Sequence, residues 1–281
     1  MIYSLNGVTK AYSTRQGLVR SLNGLTLNVH PGEHVALLGP SGAGKTTLFR
    51  LLNGTLRPTS GKLQFDGSDV GSMSGRELRA MRRRIGTIYQ QHYLVPSLTV
   101  LQNALCGRLG RWSLVHTIRN ALRPTRAETE QAMSNLELVG LADKYCARAD
   151  ELSGGQQQRL AIARVLMQSP DVFLADEPFA SLDPALTESM ASLLMGLVQE
   201  GKYTIVATLH DVEMALRYFP RIVALRDGCV VFDTTPDEVS REVLDALYAG
   251  NSTLKEHAPL GTDQWGKANQ CEPSCQPSCA R

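Results

Sequence analysis

Residues 39–46 bring three glycines, a lysine and a threonine together in one short segment. The segment follows a compact apolar run, His34–Leu38, and precedes helical spacing at 46–53, so it joins a strand to a helix. Glycines let successive backbone N–H groups point inward, and the helix start adds the positive end of its dipole. The pattern predicts a phosphate-binding loop, with an ordinary glycine-rich turn as the alternative. The candidate nucleotide-binding residues are Gly39, Pro40, Ser41, Gly42, Ala43, Gly44, Lys45, Thr46 and Thr47.

The lysine and threonine of this loop have distinct expected roles. In loops of this pattern the lysine, here Lys45, reaches the β- and γ-phosphates of a nucleoside triphosphate. The hydroxyl of the following residue, Thr46, binds magnesium. The loop therefore predicts a nucleoside triphosphate with Mg²⁺ as its ligands.

Two consecutive carboxylates, Asp176 and Glu177, end the apolar run 172–175. Charge at the end of a buried strand is costly unless a cation or a substrate proton uses it. We therefore expect Asp176 to hold magnesium and Glu177 to act as general base on an attacking water, a role worth roughly 10²–10⁴-fold in rate. An Asp-Glu pair alone is more often a cap or a surface turn, and the phosphate loop favours the catalytic interpretation.

The elements that must position these residues alternate between strand and helix. Alternating polarity at 2–8 and 22–29 predicts short antiparallel strands at the start. Apolar runs, joined by helical spacing, predict a parallel sheet covered by helices and hence an α/β fold; they lie at 34–38, 172–175, 204–208 and 222–225. Helical spacing dominates from about residue 90 to 168, which predicts a helical subdomain.

A further segment, 152–164, resembles the signature of ABC ATPases. It begins Leu-Ser-Gly-Gly-Gln, and a serine with two glycines opening a helix can form a second anion site. Taken alone, it would be an ordinary serine N-cap. The resemblance implies a RecA-like P-loop core, an N-terminal antiparallel β portion and an inserted helical subdomain. It also implies a head-to-tail homodimer in which the γ-phosphate bound by one subunit is contacted from the other by Ser153, Gly154, Gly155 and Gln156.

The remaining elements of the family pattern occur in the expected order. By resemblance, Tyr12 stacks on adenine, and Gln90 senses magnesium and couples to a membrane subunit. Gln91 is an adjacent candidate for that role. The resemblance also implies that His210 contacts the γ-phosphate and that Asp183 links the two sites across the dimer. Each residue alone is weak, because such side chains are usually structural or solvated, and their joint order supports the assignment.

Two stretches are similar to the ATPases of bacterial phosphonate importers. Residues 107–119 look like an insertion characteristic of that group, and residues 208–226 are also similar. The resemblance implies an ATPase that energises import of phosphonates or related phosphorus oxyanions, such as phosphite or phosphate esters. The implied partners are two permease subunits and an extracytoplasmic solute-binding protein. The implied location is the cytoplasmic face of the bacterial inner membrane.

Composition and organisation narrow the alternatives. A net charge of +2 gives no indication of a nucleic-acid partner, and no stretch approaches the roughly 20 apolar residues of a membrane span. The start also lacks the pattern of a secretory signal. ABC ATPases of lipoprotein release or cell division are a competing class, against which the insertion argues modestly. Soluble ABC proteins of translation or DNA repair usually carry tandem cassettes, whereas this chain has one.

An arginine-rich stretch precedes Gln90. It predicts a solvated helix face, with a phosphate or membrane-surface role as the alternative. Its members are Arg76, Arg79, Arg82, Arg83 and Arg84.

The resemblance covers about residues 1–250, which we predict to be the cassette domain, with its helical subdomain at about 90–168. From 251 to 281 periodicity is lost and Pro, Gly, Ser, Asn and Gln accumulate, which predicts a flexible tail. Cys271, Cys275 and Cys279 are spaced by four, but intervening prolines oppose a helix. We favour an inert tail over metal binding or redox sensing, because three soft ligands without a fourth make a poor zinc site.

Overall fold

The computed structural model describes residues 1–15, 17–113, 119, 124–179 and 184–249. Strands and helices alternate along most of this part of the chain. The strands are β1 (Tyr3–Thr14), β2 (Gly17–Val29), β3 (His34–Leu38), β4 (Ser60–Phe65), β5 (Ser68–Asp69), β6 (Ile85–Tyr89), β7 (Val172–Asp176), β8 (Thr204–Thr208), β9 (Arg221–Arg226) and β10 (Cys229–Thr234). The helices are α1 (Lys45–Leu52), α2 (Gly75–Arg83), α3 (Val100–Leu105), α4 (Arg126–Leu138), α5 (Gly154–Gln168), α6 (Pro184–Glu200), α7 (Val212–Tyr218) and α8 (Arg241–Tyr248).

The strands form two sheets. The first is antiparallel, in the order β2-β1-β4-β5, and the second has six strands in the order β10-β9-β3-β8-β7-β6. In the second sheet β9, β3, β8, β7 and β6 run parallel, and only the edge strand β10 is antiparallel to its neighbour. The carboxyl ends of five strands therefore meet at one edge.

Side-chain alternation along the parallel strands divides the core into two clusters, one on each face of the six-stranded sheet. Along β3, Val35 and Leu37 pack with α1 and the antiparallel sheet. Ala36 and Leu38 pack on the other face, with helices α5, α6 and α7. A strand that is buried on both faces has little freedom to shift, so the residues at its end are held in place.

The predicted fold class is confirmed: an α/β core carries an antiparallel β portion at its start and helices α3, α4 and α5 inserted between β6 and β7. The observed bounds of two elements differ slightly from the predicted ones: α5 begins at Gly154, and β7 includes Asp176. Sequence analysis missed β4, β5, β6 and β10. In β6 the apolar run is short and broken by Gly86, where a Cβ atom would lie 2.3 Å from the Val165 side chain.

The arginine-rich stretch is divided by the fold. Four of its members lie on α2. Arg84 lies just past the helix and forms ion pairs with Asp66, at 2.8 Å, and with Asp171, at 2.5 Å. The prediction of a solvated helix face is therefore wrong for Arg84, which lies outside the helix and joins the residue after β4 to the residue before β7.

Candidate nucleotide-binding and hydrolysis site

The carboxyl edge of the parallel sheet brings most of the candidate residues together. β3 pairs with β8, β8 with β7, and β7 with β6, so Leu38, Thr208, Asp176 and Tyr89 end at the same edge. In open α/β sheets this edge is where ligands bind. The phosphate-binding loop extends from β3, and Gln90 follows β6 directly.

The loop after β3 depends on glycines at two positions of close approach. At Gly39, where φ is 146°, a Cβ atom would lie 2.1 Å from the Leu225 carbonyl oxygen. At Gly44, where φ is 103°, it would lie 2.6 Å from the Ser21 carbonyl oxygen. Gly44 is also the N-cap of α1, and no side chain in the described part of the chain caps the helix there. The first N–H groups of α1 are therefore open to an anion.

Lys45 is held inside the loop. Its side chain is 7% exposed, and its Nζ donates to the carbonyl oxygens of Gly39 and Pro40. Burial lowers the pKa of Lys45, and the nearby charges of Glu177 and Asp176 only partly offset that effect. Within the described residues, no carboxylate accepts a hydrogen bond from this ammonium at the point where a phosphate would enter, which suits an anionic ligand.

Asp176 and Glu177 are fixed by the neighbouring strand β8. The Thr208 hydroxyl donates to Asp176 Oδ1 at 2.8 Å and accepts from the Glu177 N–H at 3.0 Å. Glu177 has φ 48°, a conformation that costs about 1–3 kcal/mol for a residue other than glycine. Its Oε1 lies 2.6 Å from His210 Nε2. Thr208 is a site residue that sequence analysis missed, although a threonine ending a buried strand is a usable signal.

Thr47 and Tyr12 connect the loop to the first sheet. The Thr47 and Ser21 hydroxyl oxygens are 2.7 Å apart, so α1 is tied to β2. Tyr12 lies in β1 opposite Val19 of β2, two residues from Ser21 along that strand. It is 36% exposed, and the Lys10 ammonium lies 5.5 Å from its ring centroid. An exposed aromatic ring on this side of the loop is compatible with adenine stacking.

The signature segment forms a separate helix start. Ser153 caps α5 through the Gln156 N–H, and the Gln156 side chain accepts from the Ser153 N–H. Gly155 is buried, and a Cβ atom there would meet the Leu186 side chain at 2.6 Å. Among the described residues, no hydrogen bond joins 153–156 to the phosphate-binding loop. Asp183, the remaining predicted site residue, lies outside the described residues.

Comparison with known proteins identifies the family. A family model described as ABC transporter matches residues 22–180. This chain belongs to the ABC transporter family. It is 43% identical over 244 residues to the phosphonates import ATP-binding protein PhnC of Pseudomonas fluorescens (strain Pf0-1), which covers 87% of this chain and 91% of that protein. It is 41% identical to the phosphonates import ATP-binding protein PhnC 2 of Halalkalibacterium halodurans, over 88% of this chain and all (100%) of that protein.

Solved structures give the same family. The dimeric structure of the ATP-binding cassette MJ0796 in a post-hydrolysis state, bound to ADP and Pi, matches with a TM-score of 0.71 and 33% identity. The match covers 83% of this chain and 98% of that one. The predicted enzyme class, an ABC ATPase, and the predicted resemblance to phosphonate-importer ATPases are confirmed.

The donor atoms of this ABC cassette fit a magnesium nucleotide. Thr46, Gln90 and Asp176 offer hydroxyl, amide and carboxylate oxygens, the hard ligands that magnesium prefers alongside substrate phosphates. The buried ammonium and the open helix start would supply the complementary charge for the phosphates of such a nucleotide. In the described part of the cassette, no helix is both long and apolar enough to cross a membrane.

Proposed function

We propose that this chain hydrolyses ATP to energise an importer of phosphonates or related phosphorus oxyanions. The observation that carries the ATPase chemistry is the Glu177 carboxylate, held beside the phosphate-binding loop and 2.6 Å from His210. The solute class is supported by the names of relatives that are 43% and 41% identical over most of this chain. A cassette need not touch the solute, so the solute class rests on these relatives.

ATP binding begins with the phosphates. The N–H groups at the start of α1 and the Lys45 ammonium bind phosphate oxygens, and Lys45 exchanges its bonds to Gly39 and Pro40 for bonds to the ligand. Tyr12 stacks against the adenine. Magnesium, when bound with the nucleotide, would neutralise part of the phosphate charge, and Thr46, Gln90 and Asp176 are the residues that would hold it.

Hydrolysis depends on Glu177. Its carboxylate accepts a proton from the water that attacks the γ-phosphorus, and the bond from that phosphorus to the bridging oxygen of the β-phosphate breaks, so that ADP leaves. His210, at hydrogen-bond distance, orients the carboxylate and reaches toward the γ-phosphate. Thr208 holds the Glu177 backbone from β8, so the position of Glu177 depends on β8 as well as on β7, the strand that it follows. Asp176 keeps one oxygen on Thr208 and leaves the other for the cation site.

A second copy of the chain completes the site. Within the described residues, the signature residues 153–156 have no hydrogen bond to the phosphate-binding loop of their own chain. The start of their helix, α5, is an anion site, and we expect a phosphate to bind there. We place them on the γ-phosphate bound by the opposite subunit of a homodimer, with Asp183 linking the two sites. The dimeric state of the similar cassette MJ0796 supports this arrangement.

A cationic cleft offers a surface for a membrane partner. It has a volume of about 700 Å³ and lies between α2 and α5, close to the segment that follows Gln90. Trp112 and apolar side chains share it with five arginines, and arginine with aromatic residues is typical of protein interfaces. The arginines are Arg79, Arg82, Arg83, Arg111 and Arg164. We propose that an acidic cytoplasmic segment of a permease docks here.

The complete assembly then has two cassettes, two permease subunits and an extracytoplasmic solute-binding protein. The cassettes lie on the cytoplasmic face of the bacterial inner membrane. We further propose that the cassette domain comprises residues 1–250, with its helical subdomain at about 90–168. The tail 251–281, with its three cysteines, lies outside the described residues.

Solute-stimulated ATP hydrolysis tests the proposed function directly. The cassette is reconstituted with a permease and a solute-binding protein of the phosphonate-importer class, and turnover is compared with phosphonate, phosphite, phosphate and an unrelated solute. We expect stimulation by phosphonate or phosphite and none by the unrelated solute. Basal hydrolysis without stimulation by any phosphorus oxyanion would keep the ATPase assignment and contradict the solute class.

Charge reversal in the cleft tests the docking surface. Arg83→Glu places a negative charge where an acidic segment is expected to bind, so we expect association with the permease to weaken by at least about tenfold. Arg76→Glu, on the same helix but outside the cleft lining, is the matched control and should co-purify normally. Equal co-purification of both variants would place the permease elsewhere.

A further inference from the structure

Arg164, on the signature helix α5, donates hydrogen bonds to the segment that follows Gln90. Its two terminal guanidinium nitrogens donate to consecutive carbonyls, Nη1 to Tyr93 and Nη2 to His92, both at 2.6 Å. A planar guanidinium can hold two acceptors at once in a fixed geometry, which a lysine cannot do. The Arg164 side chain is only partly exposed, and its bond to the His92 carbonyl is partly buried, whereas its bond to the Tyr93 carbonyl is exposed.

The segment held in this way has little structure of its own. Residues 90–94 lie between β6 and α3, outside both helix and strand. Tyr93 has φ 47°, which an L side chain rarely adopts, and it persists only where its surroundings fix it. Its ring meets Tyr89 edge-on with centroids 5.2 Å apart. The two hydrogen bonds from Arg164 are therefore a main determinant of where this segment lies.

The same helix reaches the hydrolytic residues at another point. Gln158 is buried and donates its side-chain N–H to the carbonyl of Pro178, the residue after Glu177. Ser153, the first signature residue, caps this helix, and Arg164 lies eleven residues further on, about 16 Å along the axis. A helix of this length behaves as one rigid element, so a displacement of the signature end is passed to both segments.

We infer that Arg164 is a positioning residue that makes the place of Gln90 depend on the place of the signature helix. This inference rests on the proposed function, in which the signature closes on ATP and Gln90 serves the magnesium site. Closure of the signature end moves α5, and Arg164 moves the His92–Tyr93 carbonyls with it. Gln90 then reaches the cation site only when the dimer is closed.

The test compares Arg164→Met, Arg164→Lys and wild type, with Arg57→Met as the control. Arg57 likewise donates from both terminal guanidinium nitrogens to backbone carbonyls, those of Gly71 and Met73, which lie in neither α5 nor the segment 90–94. Two readouts are used on the full chain: amide hydrogen exchange of residues 90–95, and basal ATPase activity against Mg²⁺ concentration at saturating ATP.

We expect Arg164→Met to speed exchange at 90–95 and to raise the Mg²⁺ concentration for half-maximal activity by about tenfold, the low end for loss of an outer-shell partner. Arg164→Lys should fall between wild type and Arg164→Met, and Arg57→Met should match wild type in both readouts. An unchanged rate of amide hydrogen exchange at 90–95 would show that Arg164 does not hold the segment in place. Faster exchange with an unchanged Mg²⁺ requirement would overturn its link to the cation site.

The outcomes separate this inference from the proposed function. A wild-type chain that lacks solute stimulation still reports on Arg164, because neither readout uses the solute. Should Arg164→Met fail to fold, Arg164→Lys decides alone, since it keeps the charge and most of the buried stem. Wild-type values for Arg164→Lys in both readouts would then overturn the inference.

Discussion

Glu177→Gln is expected to lower ATP turnover by about 10²–10⁴-fold while leaving ATP binding intact. The amide has nearly the same shape as the carboxylate but cannot accept a proton from water. The fold should survive, because the Glu177 backbone is held by Thr208 and not by its own side chain. Bound ATP that is not hydrolysed should trap the closed dimer, which size-exclusion chromatography with ATP would detect.

Glu200→Gln provides the matched control, since Glu200 is an exposed carboxylate at the end of α6. It should retain wild-type turnover and remain monomeric or dimeric as wild type does. Turnover by Glu177→Gln equal to that of this control would refute the general-base assignment. A large loss of turnover without the trapped dimer would instead show that ATP no longer binds normally.

Lys45→Ala is expected to have the second large effect. Losing the cation that faces the phosphates should reduce turnover by about 10²–10³-fold, the usual cost of removing one preorganised donor, and should weaken ATP binding as well. Binding of a fluorescent ATP analogue and steady-state hydrolysis measure the two effects. Lys62→Ala, which removes an exposed lysine from β4, should change neither.

Without ligand, Lys45→Ala is expected to change how the stability of the folded protein depends on pH. Burial lowers the pKa of Lys45 despite the neighbouring carboxylates, so the folded protein disfavours the ammonium. The unfolded chain binds this proton more tightly, and the stability of wild type therefore rises as pH increases from the folded pKa to the ordinary one. Relative to the variant, wild type should therefore gain thermal stability as the pH is raised from neutral through the folded pKa, because deprotonation removes the burial penalty on the ammonium. A difference in unfolding temperature between the two proteins that does not change with pH would contradict this account.

The chemistry encoded in contiguous residues could be predicted from the sequence. The phosphate-binding loop places its glycines and Lys45 within eight residues, and local backbone geometry alone makes such a segment an anion site. Asp176 and Glu177 are adjacent at the end of one apolar run, and the signature opens one helix. These patterns also identified the family, because their order along the chain is specific even where single residues are not.

Contacts between distant segments were decided by the tertiary structure alone. Strand order puts β8 between β3 and β7, and this is what brings Thr208 to Asp176 and His210 to Glu177. β6 was missed for a related reason: its short run gains stability from pairing with β7 and packing on α5.

The hydrogen bonds from Arg164 to the His92 and Tyr93 carbonyls join residues more than seventy positions apart, so no local pattern in the sequence predicts them. The sequence by itself therefore determined the candidate groups for the chemistry, since each motif is a local property of the backbone. The packing of strands and helices decided which groups hold them in place, because those partners meet only after long-range contacts form.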